Sequence, residues 1–541
     1  MSSLRPLGAG VLVAAAVLFL ARLGATDLWA PDEPRYAQVA EELRSLQHGA
    51  SGLWLLHLNG AAYTQKPPLY FWLAALAGAP GGRVSEAAAR LPSALAGIAC
   101  VALVIRFGTR LRGPGVGVGA GGLLATAALF AHIARRAQLD VLLCALELAA
   151  LAAFWQIDRG GPRRARDVAV LHGALGLAVL TKGPVGLILP TLAILGFLAW
   201  ERRLASFPRC LPPWAPLLSV APGLVWITGA VALAPPGFAK QAILDNLWGR
   251  FAHGTSHPGP LWYYLYQLPL DFLPWTLLAP AVVAAARRVL GSEGPAERAR
   301  VWRFLLAWLG SAFLFFSLSG GKRGLYLVPA FPAAALLCAD AVVTTLAAGA
   351  RPSRFASAAL AASAGLILLG GLAAPSLASH FEIEVGAHFV WPWLALGCAA
   401  ALAFRAARPS WLHRAGVVVA SVALVELLVF TLLFPALEGE KSPRGIAMAA
   451  AALARPGESI GVTRDTLVGA LAYYGRRQVT AIETPAAIAR FLASGSRVMV
   501  TEARNLDRLE AVVPVEVRFR ARHDRRALVV VTPVPVDASP P

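Results

Sequence analysis

The chain has 541 residues, of which 57% are hydrophobic and 15% are charged, and its 49 lysines and arginines outnumber its 30 acidic residues by 19. A water-soluble globule usually carries about 25% charged residues and about 45–50% apolar ones. With a mean hydropathy of +0.61, the composition excludes a soluble enzyme, a disordered chain and a disulfide scaffold. It predicts a polytopic membrane protein with basic loops. The positive charge would favour nucleic acid only if it gathered on one solvated face.

Thirteen apolar segments are predicted to cross the membrane, since about 30 Å of hydrocarbon requires about 20 apolar residues. They are residues 7–25, 87–110, 114–132, 137–157, 167–181, 183–200, 212–234, 261–286, 301–319, 323–347, 355–376, 387–404 and 412–435. The apolar run 69–79 is too short to cross and is predicted to dip into the membrane or lie against it. Gly183 and Pro184 stand between two segments, where they favour a tight reversal over one long helix.

Lysine and arginine in the short loops predict the orientation, because cytoplasmic loops carry an excess of them. With the N-terminus in the cytoplasm, 21 of the basic residues lie in short inner segments. Thirteen crossings then place the C-terminus in the periplasm. The first segment is interpreted as an uncleaved helix rather than a signal peptide, because many further segments follow it. Topology therefore explains most of the charge, and no nucleic-acid partner is expected.

The composition changes near Glu438, where charged residues become frequent. Residues 1–436 are predicted to form the transmembrane domain, and residues 437–541 a small periplasmic α/β domain. In the second domain the β-branched runs 459–463, 497–501, 515–520 and 527–532 predict strands, and the alanine-rich runs 444–454 and 484–493 predict helices. The domain carries no catalytic motif.

The outer connection formed by residues 26–86 is long enough to indicate a functional loop. It places Asp32, Glu33 and Arg35 at the start of an amphipathic helix, whose apolar face is predicted to lie in the lipid headgroup layer. Further along, Lys66 precedes two prolines at the point where the chain returns to the membrane. A solvated helix start for the acids and a headgroup anchor for the lysine are the simpler alternatives.

Other polar residues gather at the predicted outer ends of the spans. Asp140 opens the fourth predicted span, and Lys322 and Tyr326 stand where the tenth begins. Because charged groups at membrane depth are costly, several of them on one side indicate a site. A structural ion pair is the alternative for Asp140.

A second outer connection, residues 235–260, holds Arg250, His253 and His257. The two histidines are four residues apart and would share one face of a helix, as a metal site requires. Gly254 and Pro258 disfavour that helix, so a divalent metal is possible but weakly supported.

These residue types suit one kind of chemistry. A departing phosphate needs arginine and lysine to hold its charge as the bond breaks. A nucleophilic hydroxyl needs a carboxylate within hydrogen-bonding reach to accept its proton. The pattern therefore predicts transfer of a group from a lipid phosphate to a hydroxyl.

The motifs of the membrane part resemble, in order, those of the aminoarabinose transferase and protein O-mannosyltransferase superfamily. They are residues 32–37 (Asp-Glu-Pro-Arg-Tyr-Ala), 66–72 (Lys-Pro-Pro-Leu-Tyr-Phe-Trp), 90–94 (Arg-Leu-Pro-Ser-Ala), 139–140, 180–184 (Leu-Thr-Lys-Gly-Pro), 262–264 (Trp-Tyr-Tyr), and 321–322 with Tyr326. The resemblance implies an all-α polytopic membrane glycosyltransferase of the GT-C fold in the bacterial inner membrane. It also implies a polyprenyl-phosphate sugar donor used on the periplasmic side, and it is nearest to the lipid A 4-amino-4-deoxy-L-arabinose branch.

Matching positions imply roles for individual residues. The catalytic candidates are Asp32, which resembles the acidic residue that acts as base toward the acceptor, Asp140, which matches a second acid of the cavity, and Glu33. The candidate ligands of the donor phosphate are Arg35, Lys66, Arg250, Tyr326 and Lys322. One departure from the pattern is Gln65, where aminoarabinose transferases commonly have glutamate before Lys-Pro-Pro. It weakens the case for a metal and leaves the sugar open.

The acceptor implied by the resemblance is lipid A or another envelope glycolipid. Transfer to a protein hydroxyl, as in O-mannosylation of secreted proteins, is the alternative within the same class. A transporter or flippase of lipid-linked sugars is the alternative from another class. Internal repeats and charges at mid-bilayer would favour transport, whereas the predicted charges gather at one face.

Overall fold

The computed structural model describes residues 4–242, 245, 257–291, 295–347, 361, 362, 365 and 411–534. Apart from residues 361, 362 and 365, the predicted spans 355–376 and 387–404 lie outside this part of the chain. The described residues are mostly helical, with a small sheet near the C-terminus. At this coarse level the predicted fold class is confirmed.

The helices of the membrane part follow one another with short connections and two long ones. They are α1 (Leu4–Leu20), α2 (Asp32–Arg44), α3 (Leu69–Gly78), α4 (Glu86–Arg112), α5 (Pro114–Ala125), α6 (Ala128–Ala134), α7 (Asp140–Asp158), α8 (Arg164–Lys182), α9 (Val185–Trp200), α10 (Ala215–Leu233), α11 (Tyr263–Asp271), α12 (Ala279–Leu290), α13 (Ala296–Leu318), α14 (Phe331–Ala347), α15 (Trp411–Leu428) and α16 (Phe434–Ala436). Among the described residues, six helical segments are long and apolar enough to cross a membrane, and two pairs bent by 68° and 106° would make eight. The count of thirteen crossings stays a prediction.

The antiparallel pair α7 and α8 defines the two ends of the bundle. Gly183, which follows α8, has a φ of +76° that residues with a side chain rarely adopt, so the chain turns sharply into α9 and the predicted reversal is confirmed. The 19 residues of α7 extend over about 28 Å, close to the hydrocarbon thickness. Asp140 and Lys182 therefore lie at one end and Asp158 at the other.

Ion pairs gather at the Asp158 end. The Nη2 atom of Arg203 lies 3.0 Å from a carboxylate oxygen of Asp158, and Arg300 binds the other oxygen of the same carboxylate. Arg303 pairs with Glu201 beside them. These three arginines come from loops that are predicted to share the inner side, and the structure brings those loops together.

Helix α2 carries the first candidate residues and packs inside the protein. Its apolar side chains Tyr36, Val39 and Leu43 are buried, and the Tyr36 ring lies 5.6 Å from the Phe71 ring of α3. The expectation that this face lies in the lipid headgroup layer is wrong, because other parts of the protein cover it. The short run 69–79 forms the ten-residue helix α3.

The C-terminal part combines short helices with a mixed sheet. Its helices are α17 (Glu438–Lys441), α18 (Arg444–Leu453), α19 (Val468–Gly475), α20 (Pro485–Ala493) and α21 (Leu506–Glu510). The hairpin β1 (His57–Leu58) and β2 (Ala61–Ala62) belongs to the first outer connection, and the strands of the sheet are β3 (Ile460–Val462), β4 (Val479–Ala481), β5 (Met499–Glu502), β6 (Val515–His523) and β7 (Arg526–Pro533). The order is β4-β3-β5-β7-β6, with β3 parallel to both neighbours and β7 antiparallel to both of its own. The four predicted strands and both predicted helices are confirmed, whereas β4 and α19 were not predicted.

The first outer connection and the C-terminal part share one hydrophobic core. Leu28 and Tyr70 from the connection belong to the same buried cluster as Ile446, Leu471 and Val500 from the C-terminal part. Burial of apolar surface is the dominant stabilising contribution in folded domains. The two segments therefore fold against each other rather than as independent units.

Candidate active site

Asp32 is the centre of the polar cluster at the end of the bundle that also holds Asp140. It occupies the first turn of α2 and is 4% exposed. One carboxylate oxygen accepts a hydrogen bond from Arg35, and the other lies 2.9 Å from an Nη2 atom of Arg323. Burial alone would raise the pKa of Asp32, but the guanidinium groups of Arg323 and Arg35 lower it from 3.8 to about 2. The carboxylate is therefore ionised at any physiological pH.

Arg323 was not among the predicted site residues, although it directly follows Lys322, which was. The phenol oxygen of Tyr264 accepts from the Arg323 backbone N–H at 3.3 Å and lies 3.1 Å from its carbonyl, which places the arginine toward Asp32. The signal in the sequence is a Lys-Arg pair in a glycine-rich turn, in which the pattern alone does not distinguish the two cations.

Lys322 points away from Asp32. Its ammonium donates to the carbonyls of Phe316 at 2.9 Å, Ser317 at 2.6 Å and Ser319, and the residue is 4% exposed. These are the unpaired carbonyls at the end of α13, where a cation is favourable. The interpretation of Lys322 as a phosphate ligand is therefore corrected: its three donor positions are used to close a helix end.

Glu33 lies behind Asp32 and is completely buried. It accepts from Arg90 at 2.9 and 3.1 Å, from Arg136 at 3.1 Å and from the Ala137 backbone N–H at 2.9 Å. Burial would raise the pKa of Glu33, but Arg136 and Arg90 lower it from 4.5 to about 2. With its acceptor positions filled and no exposure, Glu33 connects the start of α2 to α4 and to the segment before α7.

Asp140 is paired with Lys182, and Tyr326 lies beside the lysine. The Lys182 ammonium donates to Asp140 and lies 4.6 Å from the centre of the Tyr326 ring. Tyr326 follows Arg323 by three residues in the short helix Gly324–Ala330. A row of polar side chains thus runs from Asp32 through Arg323 and Tyr326 to Lys182 and Asp140. Among the predicted residues, Asp32, Arg35, Tyr326 and Asp140 are brought together in this way.

Lys66 lies in the short segment between the β1–β2 hairpin and α3, in a half-buried position. Tyr63, three residues earlier, packs its ring 5.7 Å from that of Phe71, and the Phe71 ring lies 5.6 Å from the ring of Tyr36, which directly follows Arg35. The segment that carries Lys66 therefore passes close to Arg35.

Arg250 and His253 lie outside the described residues. His257 is exposed, and its carbonyl accepts from the Lys322 backbone N–H at 2.9 Å, so the end of the second outer connection joins the glycine-rich turn. Within the described part of the chain, no group of three histidine, cysteine or acidic residues is placed to hold a metal ion.

The C-terminal part reaches the site through α19. A Cβ atom built on Gly469 would lie 2.6 Å from the Arg35 Cα atom and 2.7 Å from its Cβ atom, so only glycine allows this approach. The Tyr474 hydroxyl accepts from the Leu28 backbone N–H at 2.6 Å, and the Tyr473 hydroxyl donates to the Val84 carbonyl at 2.7 Å. The helix that holds Asp32 and Arg35 is thus packed between the bundle and the C-terminal part.

The two acids of α2 differ in the solvent exposure of their side chains, which is 6% for Asp32 and 0% for Glu33. The side chains of Arg35 and Arg323 are 21% and 32% exposed, so an incoming anion can reach the guanidinium groups that hold Asp32. Around Glu33, which has no exposed surface, Arg90 is 5% exposed and Arg136 is 18% exposed. The arrangement can bind a phosphate next to an ionised carboxylate, which is the pattern that the residue types of the sequence predict for a departing phosphate.

Comparison with known proteins identifies the class of this fold. The chain superposes on the crystal structure of ArnT from Cupriavidus metallidurans bound to undecaprenyl phosphate with a TM-score of 0.77 and 22% identity, over 98% of each chain. Residues 8–236 match the family model described as dolichyl-phosphate-mannose-protein mannosyltransferase. The fold is thus that of the GT-C membrane glycosyltransferases, and the protein is a multi-pass protein of the bacterial inner membrane.

Two relatives of known name indicate which branch of the superfamily the chain belongs to. The undecaprenyl phosphate-alpha-4-amino-4-deoxy-L-arabinose arabinosyl transferase of Aeromonas salmonicida is 30% identical over 384 residues, which is 69% of this chain and 67% of that protein. The corresponding transferase 2 of Sodalis glossinidius is 32% identical over 350 residues, which is 64% of this chain. The chain spans 61% of the length of that second relative. The chain belongs to the aminoarabinose transferase family, and the predicted superfamily is confirmed.

Proposed function

We propose that the protein is a glycosyltransferase that moves 4-amino-4-deoxy-L-arabinose from undecaprenyl phosphate to lipid A. The observation that carries the proposal is the buried, ionised Asp32 held between two partly exposed guanidinium groups, Arg35 and Arg323. The donor is named in the relatives of this family. The acceptor follows from the resemblance of the motifs around Asp32 to those of the lipid A branch.

In the proposed reaction the donor phosphate binds between Arg35 and Arg323, with Lys66, Tyr326 and Arg250 as further ligands. Planar guanidinium groups suit a phosphate because they donate two parallel hydrogen bonds. As the bond between the anomeric carbon and the phosphate oxygen breaks, both electrons stay on the phosphate, whose negative charge the arginines stabilise. The acceptor oxygen forms the new bond to the anomeric carbon with inversion.

Asp32 receives the proton of the acceptor oxygen in this scheme. With a pKa of about 2, the free site holds a poor base, since a general base works best near the ambient pH. A donor phosphate that draws Arg35 and Arg323 away from Asp32 would remove the two charges that lower this pKa. Donor binding would then raise the pKa of Asp32 and prepare it for the acceptor, so the base becomes active only when the sugar is present.

The other two acids receive positioning roles in this proposal. Glu33 fixes the start of α2 through Arg90 and Arg136, so it holds Asp32 in place without touching the substrate. Asp140 orients Lys182 against Tyr326 and thereby keeps the donor-side ring in position. Neither carboxylate is then required to transfer a proton.

A second candidate function is transfer of a sugar to a hydroxyl of a secreted protein. It is favoured by the match of residues 8–236 to the protein mannosyltransferase model, and the same site chemistry would serve it. Transport of lipid-linked sugars has less support. Acids inside the predicted spans would favour transport: Asp340 is held by Arg112 at 2.8 Å and Arg298 at 2.9 Å, whereas Glu147 and Glu426 each have a buried carboxylate oxygen without a hydrogen-bond partner in the described part of the chain.

The proposed topology has thirteen crossings, a cytoplasmic N-terminus and a periplasmic C-terminal domain, with the boundary near residue 437. Clustering of the predicted inner arginines around Asp158, at the end of α7 away from Asp140, supports it. The site and the C-terminal part then face the periplasm together.

Mass spectrometry of a deletion strain tests the proposal. Lipid A from the deleted strain is expected to lack the aminoarabinose that the parent and the complemented strain carry, while glycans of secreted proteins stay unchanged. An unchanged lipid A profile together with lost protein glycans would overturn the first choice of acceptor and favour the second.

A further inference from the structure

A polar cavity of about 510 Å³ lies between α2 and the C-terminal part. Its walls come from α2, the segments around Asn59 and Arg83, and the end of α19 with the residues that follow it. Gln38 of α2 lines it, six residues after Asp32, which corresponds to about 9 Å along the helix. One wall of the cavity is therefore the same helix that carries the candidate catalytic carboxylate.

Some of the charged groups in this cavity are already engaged. Glu41 binds Arg44 at 2.6 Å. Glu42 is buried and accepts from the backbone N–H groups of Asn59 at 2.5 Å and Gly60 at 3.1 Å. The Glu42 contacts hold the β1–β2 turn against α2, and both acids form part of the cavity wall.

Other groups in the cavity are available to a ligand. Gln47, Arg476, Arg477 and Gln478 line it, and within the described residues their side chains form no ion pair or hydrogen bond with another side chain. Arg476 has a φ of +50° at the end of α19, a position where helices usually have glycine or asparagine. An arginine there places a guanidinium group at the mouth of the cavity at some conformational cost.

A groove of about 420 Å³ continues the cavity on the other side of these arginines. It shares Arg83, Tyr473, Arg476 and Arg477 with the cavity and adds the side chain of Arg444. The two spaces together accommodate a ligand longer than a single sugar ring. The shared arginines stand between them.

We propose that this cavity binds the phosphorylated saccharide headgroup of the acceptor, a proposal that rests on the proposed function. Side-chain amides both donate and accept hydrogen bonds, as the hydroxyl groups of a saccharide require. Guanidinium groups recognise phosphate through paired hydrogen bonds. Gln47 and Gln478 hold the sugar hydroxyls, Arg476 and Arg477 hold the phosphate, and α2 connects this subsite to Asp32.

The test is direct binding of deacylated lipid A, a water-soluble phosphorylated saccharide, to the purified full-length protein without any donor. The double variant Arg476→Ala/Arg477→Ala is compared with the wild type and with Arg490→Ala/Arg508→Ala, which removes two exposed arginines elsewhere in the C-terminal part. A charge-assisted hydrogen bond contributes about 1.5–3 kcal/mol, so the first variant is expected to bind about tenfold to a hundredfold more weakly. The second is expected to bind like the wild type.

Two further measurements identify the ligand. Phosphatase-treated saccharide is expected to bind the wild type as weakly as the intact saccharide binds the first variant. Vesicles of phosphatidylglycerol provide the other source of phosphate, and equal binding of vesicles by the first variant and the wild type is expected. Unchanged affinity of the first variant for the saccharide, or loss of vesicle binding alone, would overturn the subsite.

The outcome is separable from that of the proposed function. A wild-type protein that binds deacylated lipid A through these arginines but transfers no aminoarabinose would contradict the proposed donor and leave the subsite standing. If transfer occurs, the first variant is expected to raise the KM for the acceptor without changing kcat.

Discussion

The contact between Gly469 and Arg35 gives a sharp test of whether the C-terminal part positions the site. In Gly469→Ala the new methyl group would lie 2.6 Å from the Arg35 Cα atom, 2.7 Å from its Cβ atom and 3.0 Å from its backbone nitrogen. Ordinary contacts begin near 3.4 Å. Because the opposing atoms belong mainly to the backbone of α2, they cannot rotate away, and α19 and α2 must separate by about 0.8 Å, the difference between 3.4 and 2.6 Å.

Two consequences of this separation have estimable magnitudes. Overpacking of a well-packed contact typically costs about 1–3 kcal/mol of stability. A misplacement of about 1 Å in a catalytic arrangement can reduce the rate about a hundredfold. Since Arg35 and Asp32 share the first turn of α2, sugar transfer by Gly469→Ala is expected to fall about tenfold to a hundredfold, with kcat affected more than the donor KM.

The assay combines sugar transfer with thermal unfolding of the purified protein in detergent. Gly445→Ala is the matched control, because it lies in α18 of the same part and a Cβ atom there would meet nothing within 4 Å. The control is expected to keep full transfer and an unchanged or slightly higher Tm. Wild-type transfer and stability in Gly469→Ala would refute a positioning role for α19.

The remaining predictions concern the charged residues around Asp32. Arg323→Ala is expected to lower donor affinity and kcat by at least about tenfold, because a charge-assisted bond is lost. Lys322→Met is expected to lower the Tm and leave the donor KM unchanged. Transfer kinetics and thermal unfolding scans of the two variants distinguish these effects. Glu33→Gln is expected to destabilise the protein by about 3–5 kcal/mol, because Arg90 and Arg136 keep buried charges without their partner, measured by denaturant unfolding against the wild type. The pKa of Asp32 and of Glu33 is about 2 in the fold, against 3.8 and 4.5 ordinarily. Their stabilisation is therefore fully present above about pH 5 and lost as the pH falls toward 2, and unfolding scans from pH 6 to 2 that show no loss would contradict these ion pairs.

The positions of several membrane helices could be predicted because apolar length is a strong signal, whereas the predicted spans 114–132 and 261–286 are each divided into two helical segments, bent by 68° and 106°. The predicted span 137–157 corresponds to α7 (Asp140–Asp158). Gly183 correctly predicts the reversal of the chain after α8. By contrast, α2 was predicted to lie in the headgroup layer. Its pattern shows an apolar face, but the partner that covers the face comes from α3 and from residues some 400 positions later, which no local pattern reveals.

The site was predictable in its residue types and less so in its pairings. Asp32 and Arg35 follow from one short motif, whereas the choice between Lys322 and Arg323 depends on which side chain the turn after α13 directs toward Asp32. Adjacent side chains in a turn point in different directions, and the Lys322 ammonium donates hydrogen bonds to the carbonyls at the end of α13.

The most direct measurement is transfer of radiolabelled aminoarabinose from undecaprenyl phosphate to lipid A in membranes that contain either the wild type or Asp32→Asn. The substitution preserves the shape of the side chain and removes its charge and basicity. A positioned general base contributes about 10²–10⁴-fold, so transfer by Asp32→Asn is expected to fall by at least about a hundredfold while the variant still binds undecaprenyl phosphate. Equal transfer by the two proteins would remove Asp32 from the centre of the site.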